Sequence, residues 1–175
     1  MPRRRFALSS RINQITGKVI AACITVHRTL GPGLLESAYE ACVDYELSEL
    51  GLRFERQKPV PLIYHSVKLD CGFRADIVVE GQVVVEIKSK ELVHPVDYAQ
   101  VLSHMRLLRV PVGLLINFHV KVLRDGITRL VNDYQEELPL GALRTENPTC
   151  SAAILVVVLS PAIAASSLCA SAIRL

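Results

Sequence analysis

The chain has 175 residues, of which 21% are charged and 50% apolar, and a formal net charge of +3 at neutral pH. That length suits one domain with a single core. Arg3, Arg4 and Arg5 alone match the excess charge, so the remainder sums to about zero and excludes binding driven by a strong global positive field. Cys23, Cys42, Cys71, Cys150 and Cys169 form an odd, widely spaced set without a C-x-x-C pair. This excludes a disulfide framework and a structural zinc site of the usual spacing, and it fits a reducing, cytoplasmic setting.

Residues 1–11 read as a basic arm. Arg3-Arg4-Arg5-Phe6 has the look of a twin-arginine export signal, but Arg11, Asn13, Gln14 and Lys18 stand where an apolar stretch would have to begin. The domain itself is expected over 12–135. Ile12, Ile15, Val19, Ala22, Cys23, Val26 and Leu30 follow helical spacing, and Gly31-Pro32-Gly33 stops that helix. A second helix is predicted from about Leu34 to Leu50, with Leu35, Ala38, Tyr39, Cys42 and Leu50 as its apolar stripe and Gly51 as its stop. Short strands follow at Phe54–Gln57, Val60–Tyr64 and Val67–Arg74, with Pro59 and Pro61 marking an entrance or an edge.

A hairpin is predicted from Ala75 to Ser89. Its second arm, Val83-Val84-Val85-Glu86-Ile87-Lys88, sets one carboxylate in an otherwise apolar strand. Burying such a group is costly unless a cation, a hydrogen-bond network or a metal compensates it. A three-residue loop from Glu80 to Gln82 pairs Val79 with Val83 and so sets Asp76 opposite Glu86. With period-two alternation, Asp76, Glu86 and Lys88 then share one face. Two adjacent carboxylates repel, and a hard divalent cation relieves them: magnesium takes one or two carboxylates and keeps several waters, and the Ile87 carbonyl is a further candidate ligand. Such an ion lowers the pKa of a bound water, and Lys88 would orient that water or neutralise developing charge. The competing reading is an edge strand whose Glu86 and Lys88 face solvent.

From Pro95 to Arg109 the pattern returns to helix, with Val96, Ala99, Leu102, Met105 and Leu108 or Arg109 on one side and Pro95 in the first turn. Val112–Phe118 is apolar enough for a central strand, and Lys121–Leu130 offers a last strand or a return turn around Asp125-Gly126. Residues 136–149 read as a linker. Beyond it, 150–175 is an apolar extension: no charged residue occurs from Cys150 to Ile173, which is about the length of a membrane span, although Pro161 and the serines weaken that reading.

The segment Gly33-Leu34-Leu35-Glu36-Ser37-Ala38-Tyr39 reads G-x-x-E-x-x-Y. Together with Asp76, Glu86-Ile87-Lys88 and Gln100 it resembles the GxxExxY family of the PD-(D/E)XK nuclease superfamily, over roughly Ile12 to Leu130. The resemblance implies an α/β, restriction-endonuclease-like αβββαβ core, a mixed central sheet flanked by helices. It implies that Glu36, Asp76 and Glu86 hold a magnesium ion, with manganese as a substitute, and that Lys88 is the catalytic lysine. Gln100 matches the glutamine of a Q-x-x-x-Y pattern in which His104 replaces the tyrosine. Gln100, His104 and Tyr39 are thereby expected to contact substrate. Two functions follow: a metal-dependent nuclease acting on nucleic acid, DNA above all, alone, as a homodimer or with a protein partner; or a non-catalytic binding module that keeps the fold. For the nuclease, Lys90, His94, Arg106 and Arg109 are candidate phosphate contacts, although a solvated helix face explains each of them equally.

Overall fold

The computed structural model describes residues 10–69 and 72–132 and the backbone of 155–158; the side chain of Lys68 is not among what is described. Helix α1 runs Ser10–Leu30 and α2 runs Glu36–Glu49. Strands β1 (Phe54–Pro59), β2 (Leu62–Tyr64), β3 (Val67–Leu69), β4 (Arg74–Val79) and β5 (Val83–Lys88) follow, then α3 (Pro95–Leu108), β6 (Val112–Asn117), a 3₁₀ turn at Leu123–Gly126, β7 (Ile127–Val131) and β8 (Leu155–Val158). The main sheet has the order β1-β4-β5-β6-β7-β8, while β2 and β3 form a separate two-stranded ribbon. Among the described strands only β5 and β6 pair in parallel, with α3 as their crossover, so the sheet is mixed and the fold is of the restriction-endonuclease-like α/β class.

The two faces are covered by different helices. Ile77, Val79, Val83, Val85, Ile87, Leu114 and Ile116 pack against α1 and α2, and Val78, Val84 and Leu115 pack against Val101 and Met105 of α3. Coverage of both faces is why β5 and β6 are almost wholly apolar. All six residues of β5 are buried, so Glu86 lies in an interior strand and the solvent-facing edge reading falls.

The β4–β5 turn has the expected length. Val79 pairs with Val83 and Ile77 with Val85. Glu80 (φ 52°) and Gly81 (φ 63°) both adopt the left-handed region that a tight hairpin turn requires, and Gln82 N–H donates to the Val79 carbonyl at 3.0 Å. The Glu80 carboxylate accepts from Arg53 N–H at 2.9 Å and from its guanidinium at 3.0 Å, tying the turn to the start of β1.

The helices differ from expectation in which stripe they bury. In α2 the buried residues are Tyr39, Glu40, Val43, Asp44 and Leu47, while Leu35 is 77% exposed. In α3 they are Asp97, Val101, His104 and Met105, and Val96 is 68% exposed. In both helices the buried face lies about one position from the expected apolar stripe, because buried polar residues occupy part of it. The helix stop at Gly51 (φ 65°) is a Schellman arrangement, with Leu52 N–H donating to the Leu47 carbonyl at 3.1 Å.

Most of the 136–149 linker and the apolar extension lies outside the described residues, as does the basic arm up to residue 9. Within the extension, Leu155–Val158 pairs antiparallel to β7. Among the described residues no helix is long and apolar enough to cross a membrane.

One glycine sets how closely α3 approaches the sheet. A Cβ on Gly113 of β6 would lie 2.6 Å from Met105 Sδ and 2.6 Å from Val101 Cγ1. Gly113→Val should therefore lower stability by about 1–3 kcal/mol, the usual cost of overpacking, read as a lower urea midpoint with an unchanged m-value.

Candidate active site

The β4–β5 hairpin brings Asp76, Glu86 and Lys88 together. Beyond the Ile77–Val85 pair, Asp76 Oδ2 accepts from Ile87 N–H at 2.8 Å, which fixes its carboxylate across the strand from Glu86. Glu86 is fully buried, and Lys88 Nζ donates to its Oε1 at 2.9 Å. The other oxygen, Oε2, has no hydrogen-bond partner and lies 3.4 Å from the equally unpartnered Nδ1 of His104.

The electrostatics follow from that geometry. Burial pushes the Asp76 carboxyl up to about 6, and the charge of Glu86 adds to the shift, outweighing the Ile87 N–H and Lys88. Burial works against the charge of Lys88, but its hydrogen bond to Glu86 and the charges of Glu86, Asp76 and Glu36 win, so the ammonium is held above its ordinary value. The site thus sets two neighbouring carboxyl groups beside one lysine whose charged form they favour.

Glu36 stands at the end of β5. Its Oε1 accepts from Ser89 N–H at 3.1 Å, and Ser89 Oγ donates to the Leu34 carbonyl at 2.6 Å, so the G-x-x-E loop is stitched to the strand that carries Lys88. The α2 acid whose charge raises Asp76 is Glu40, one turn further on. Between them lies Gln57 of β1, whose Nε2 donates to both Glu40 oxygens at 3.0 and 3.1 Å and reaches Asp76 Oδ1 at 3.5 Å. Gln57 adopts φ 45°, an uncommon conformation for a non-glycine residue, and does so in the middle of a strand. The next turn of α2 is clamped as well: Arg56 pairs with Asp44, and burial raises the Asp44 carboxyl to about 6 against that pairing.

Of the three expected substrate contacts, Tyr39 and His104 are buried. Tyr39 has no exposed surface: its ring stacks on Phe118 with centroids 4.2 Å apart, and its hydroxyl donates to the Gly31 carbonyl at 2.6 Å and accepts from Leu34 N–H at 3.1 Å. It shapes the G-x-x-E loop from within instead of touching a substrate. His104 is buried at 2% exposure and backs Glu86. Gln100 is half-buried on α3, one turn before His104. Of the proposed phosphate contacts, Lys90 is engaged by Asp97 at 2.6 Å, while His94, Arg106 and Arg109 are exposed.

Sequence reasoning missed Glu40, Gln57, Asp97 and Asn117. Asn117, at the end of β6, is buried; its Oδ1 accepts from Lys90 N–H (3.1 Å) and His119 N–H (3.2 Å), and its Nδ2 donates to the Lys90 carbonyl (2.7 Å). Signals existed for two of these. Glu40 follows Glu36 by one helical turn, and Gln57 is polar within the strand that pairs with β4.

The profile of the PD-(D/E)XK nuclease superfamily matches residues 13–130. This chain belongs to that superfamily. The match spans α1 to β7 and includes every residue of the Asp76–Glu86–Lys88 cluster. No curated protein and no solved structure matches the chain. PD-(D/E)XK nucleases generally use divalent metals, and the residues present suit one. Two carboxyl groups are neighbours, and one buried oxygen of Glu86 has no hydrogen-bond partner among the described residues. Among the described residues no group of three or more His, Cys, Asp and Glu side chains is preassembled as a ligand set, so Asp76 and Glu86 would leave most coordination positions to water, as suits magnesium.

Asp76 and Asp44 titrate near 6 in the fold against an ordinary value of 3.8. The folded state therefore keeps protons that the unfolded chain releases, and without metal stability should fall as pH rises through that window. Thermal melts in chelator across pH 4–7 should show the decline, and Asp76→Asn should reduce it, leaving the part that Asp44 contributes. In Tyr39→Phe, loss of the hydroxyl leaves two loop groups unpaired and should cost about 1–2 kcal/mol in urea denaturation.

Proposed function

We propose that this chain is a divalent-metal-dependent nuclease of the GxxExxY type that hydrolyses phosphodiester bonds, with DNA as substrate and magnesium as the preferred ion. The observation that carries the proposal is the Asp76–Glu86 pair on a buried hairpin, with Lys88 hydrogen-bonded to Glu86 at 2.9 Å. The G-x-x-E-x-x-Y spacing and the stitching of Glu36 to Ser89 support the finer family reading. DNA rests on the family likeness, and the free Cys23 and Cys42 accord with a cytoplasmic setting.

When bound, the ion would polarise a phosphoryl oxygen and lower the pKa of its water. Asp76 and Glu86 would hold it, and Gln57 keeps Asp76 aligned through its contact with Oδ1. Lys88, held protonated, is placed to donate to a phosphate oxygen or to the attacking water rather than to accept a proton. His104 and the α3 packing exclude solvent behind Glu86, which strengthens each of these interactions.

A second reading, a binding module without catalysis, draws on the near-zero net charge of the chain outside Arg3, Arg4 and Arg5. One assay separates the two. The full chain is incubated with single- and double-stranded DNA and RNA in magnesium or manganese, beside Asp76→Asn and Lys88→Met. Cleavage that chelator abolishes, and that each substitution lowers by about 10²–10³-fold, is expected. Cleavage undiminished in both variants sinks the assigned roles, and no cleavage together with no metal-induced rise in melting temperature favours the module.

A further inference from the structure

Between β1 and β4 the chain leaves the sheet. Pro59 pairs with Arg74 at the root of this excursion, and Val60 N–H donates to the Phe73 carbonyl at 2.8 Å just above it. Gln57 lies two residues before the root and Asp76 two residues after it, so the β2–β3 ribbon rises from the strand ends that carry the site. Tyr64 pairs with Val67 across a two-residue turn.

A two-stranded ribbon is marginal by itself and ordinarily buries one face. This one leaves large apolar groups in solvent: Ile63 and Tyr64 are 65% exposed, Val67 55% and Phe73 51%. Among the described residues only three Tyr or Phe side chains are exposed to this degree, and Tyr64 and Phe73 are two of them. The Tyr64 ring is braced edge-on by His65, with centroids 4.5 Å apart. Arg74 at the root is exposed with no ion pair among the described residues, and His65 is exposed beside Tyr64. Aromatic faces beside the exposed Arg74 guanidinium match the two surfaces of an unpaired nucleotide, a flat base and a phosphate; a protein partner or a second copy would not need that cation. A duplex keeps its base faces stacked away from such rings.

We infer that the β2–β3 ribbon is a stacking platform that holds unpaired bases of a nucleic acid beside the Asp76–Glu86 site, so that the substrate is single-stranded or locally opened. This rests on the nuclease reading for its substrate class and adds the strand state. Duplex DNA would be engaged chiefly at ends, mismatches or openings.

The test is fluorescence anisotropy of the full chain in chelator, with labelled oligo-dT and a blunt duplex of equal length, alongside light scattering and the cleavage assay. Wild type should prefer the single strand. Tyr64→Ala and Phe73→Ala should each weaken that binding about tenfold and change duplex binding less than twofold, and Tyr64→Trp should retain it; both rings are exposed, so melting temperatures should hold. Binding by the wild type that neither alanine substitution weakens, equal losses on single strand and duplex, or no binding to either probe overturns the inference. So does a wild-type dimer that Tyr64→Ala dissociates, which would make the ribbon a subunit interface. The two readings fail separately: ribbon-dependent binding without metal-dependent cleavage removes the nuclease and keeps the platform, whereas cleavage indifferent to both ring substitutions removes the platform and keeps the nuclease.

Discussion

The carboxylate of Glu86 is buried at the centre of a six-stranded sheet, and much of the domain is arranged around that fact. A charge in such a place costs several kcal/mol unless it is compensated. Lys88 supplies one hydrogen bond from the same strand face, and His104 stands at the second oxygen from α3. Asp76 adds a second anion instead of relieving the first, so the compensation within the protein is incomplete. An interior that keeps an unbalanced anion pair is spending stability on something other than folding, and a divalent ion is the partner whose charge and ligand preference close the gap.

Around that centre the remaining polar interactions act as clamps. Ser89 ties the end of β5 to the α2 entrance through Glu36 and Leu34, Tyr39 holds that entrance from beneath, and Asn117 fixes the backbone of Lys90. Asp97 joins Lys90 to the first turn of α3 through His94 N–H at 2.7 Å. Most of these clamps bind backbone to side chain, and those of Ser89 and Asn117 do so across distant segments, which suits a site whose geometry must hold while like charges push apart.

The hairpin was legible because it is local: a three-residue loop with Gly81 and strict alternation fix which side chains face each other, and the register from Val79–Val83 to Ile77–Val85 follows. Element order and type from α1 to β7 were legible for the same reason, since turn residues such as Gly31, Gly51 and Pro95 punctuate strong periodic runs, whereas β8 lies in what read only as an apolar extension. The buried faces of α2 and α3 were not. Periodicity assumes that core positions are apolar, whereas Glu40, Asp44, Asp97 and His104 are buried in polar clusters that only tertiary contacts justify. Tyr39 misled differently. A tyrosine in a motif reads as a substrate contact, yet packing on Phe118 and two loop hydrogen bonds consume both its ring and its hydroxyl.

The tight turn at Glu80-Gly81-Gln82 has a consequence for how the molecule comes into being. Because it makes Asp76 and Glu86 neighbours through local chain geometry, the repelling pair can meet as soon as the β4–β5 ribbon closes, ahead of the long-range contacts that bring Glu40, Gln57 and His104. Segment 76–88 therefore holds the two acids and the lysine as one contiguous cassette, and the rest of the domain serves as its low-dielectric housing.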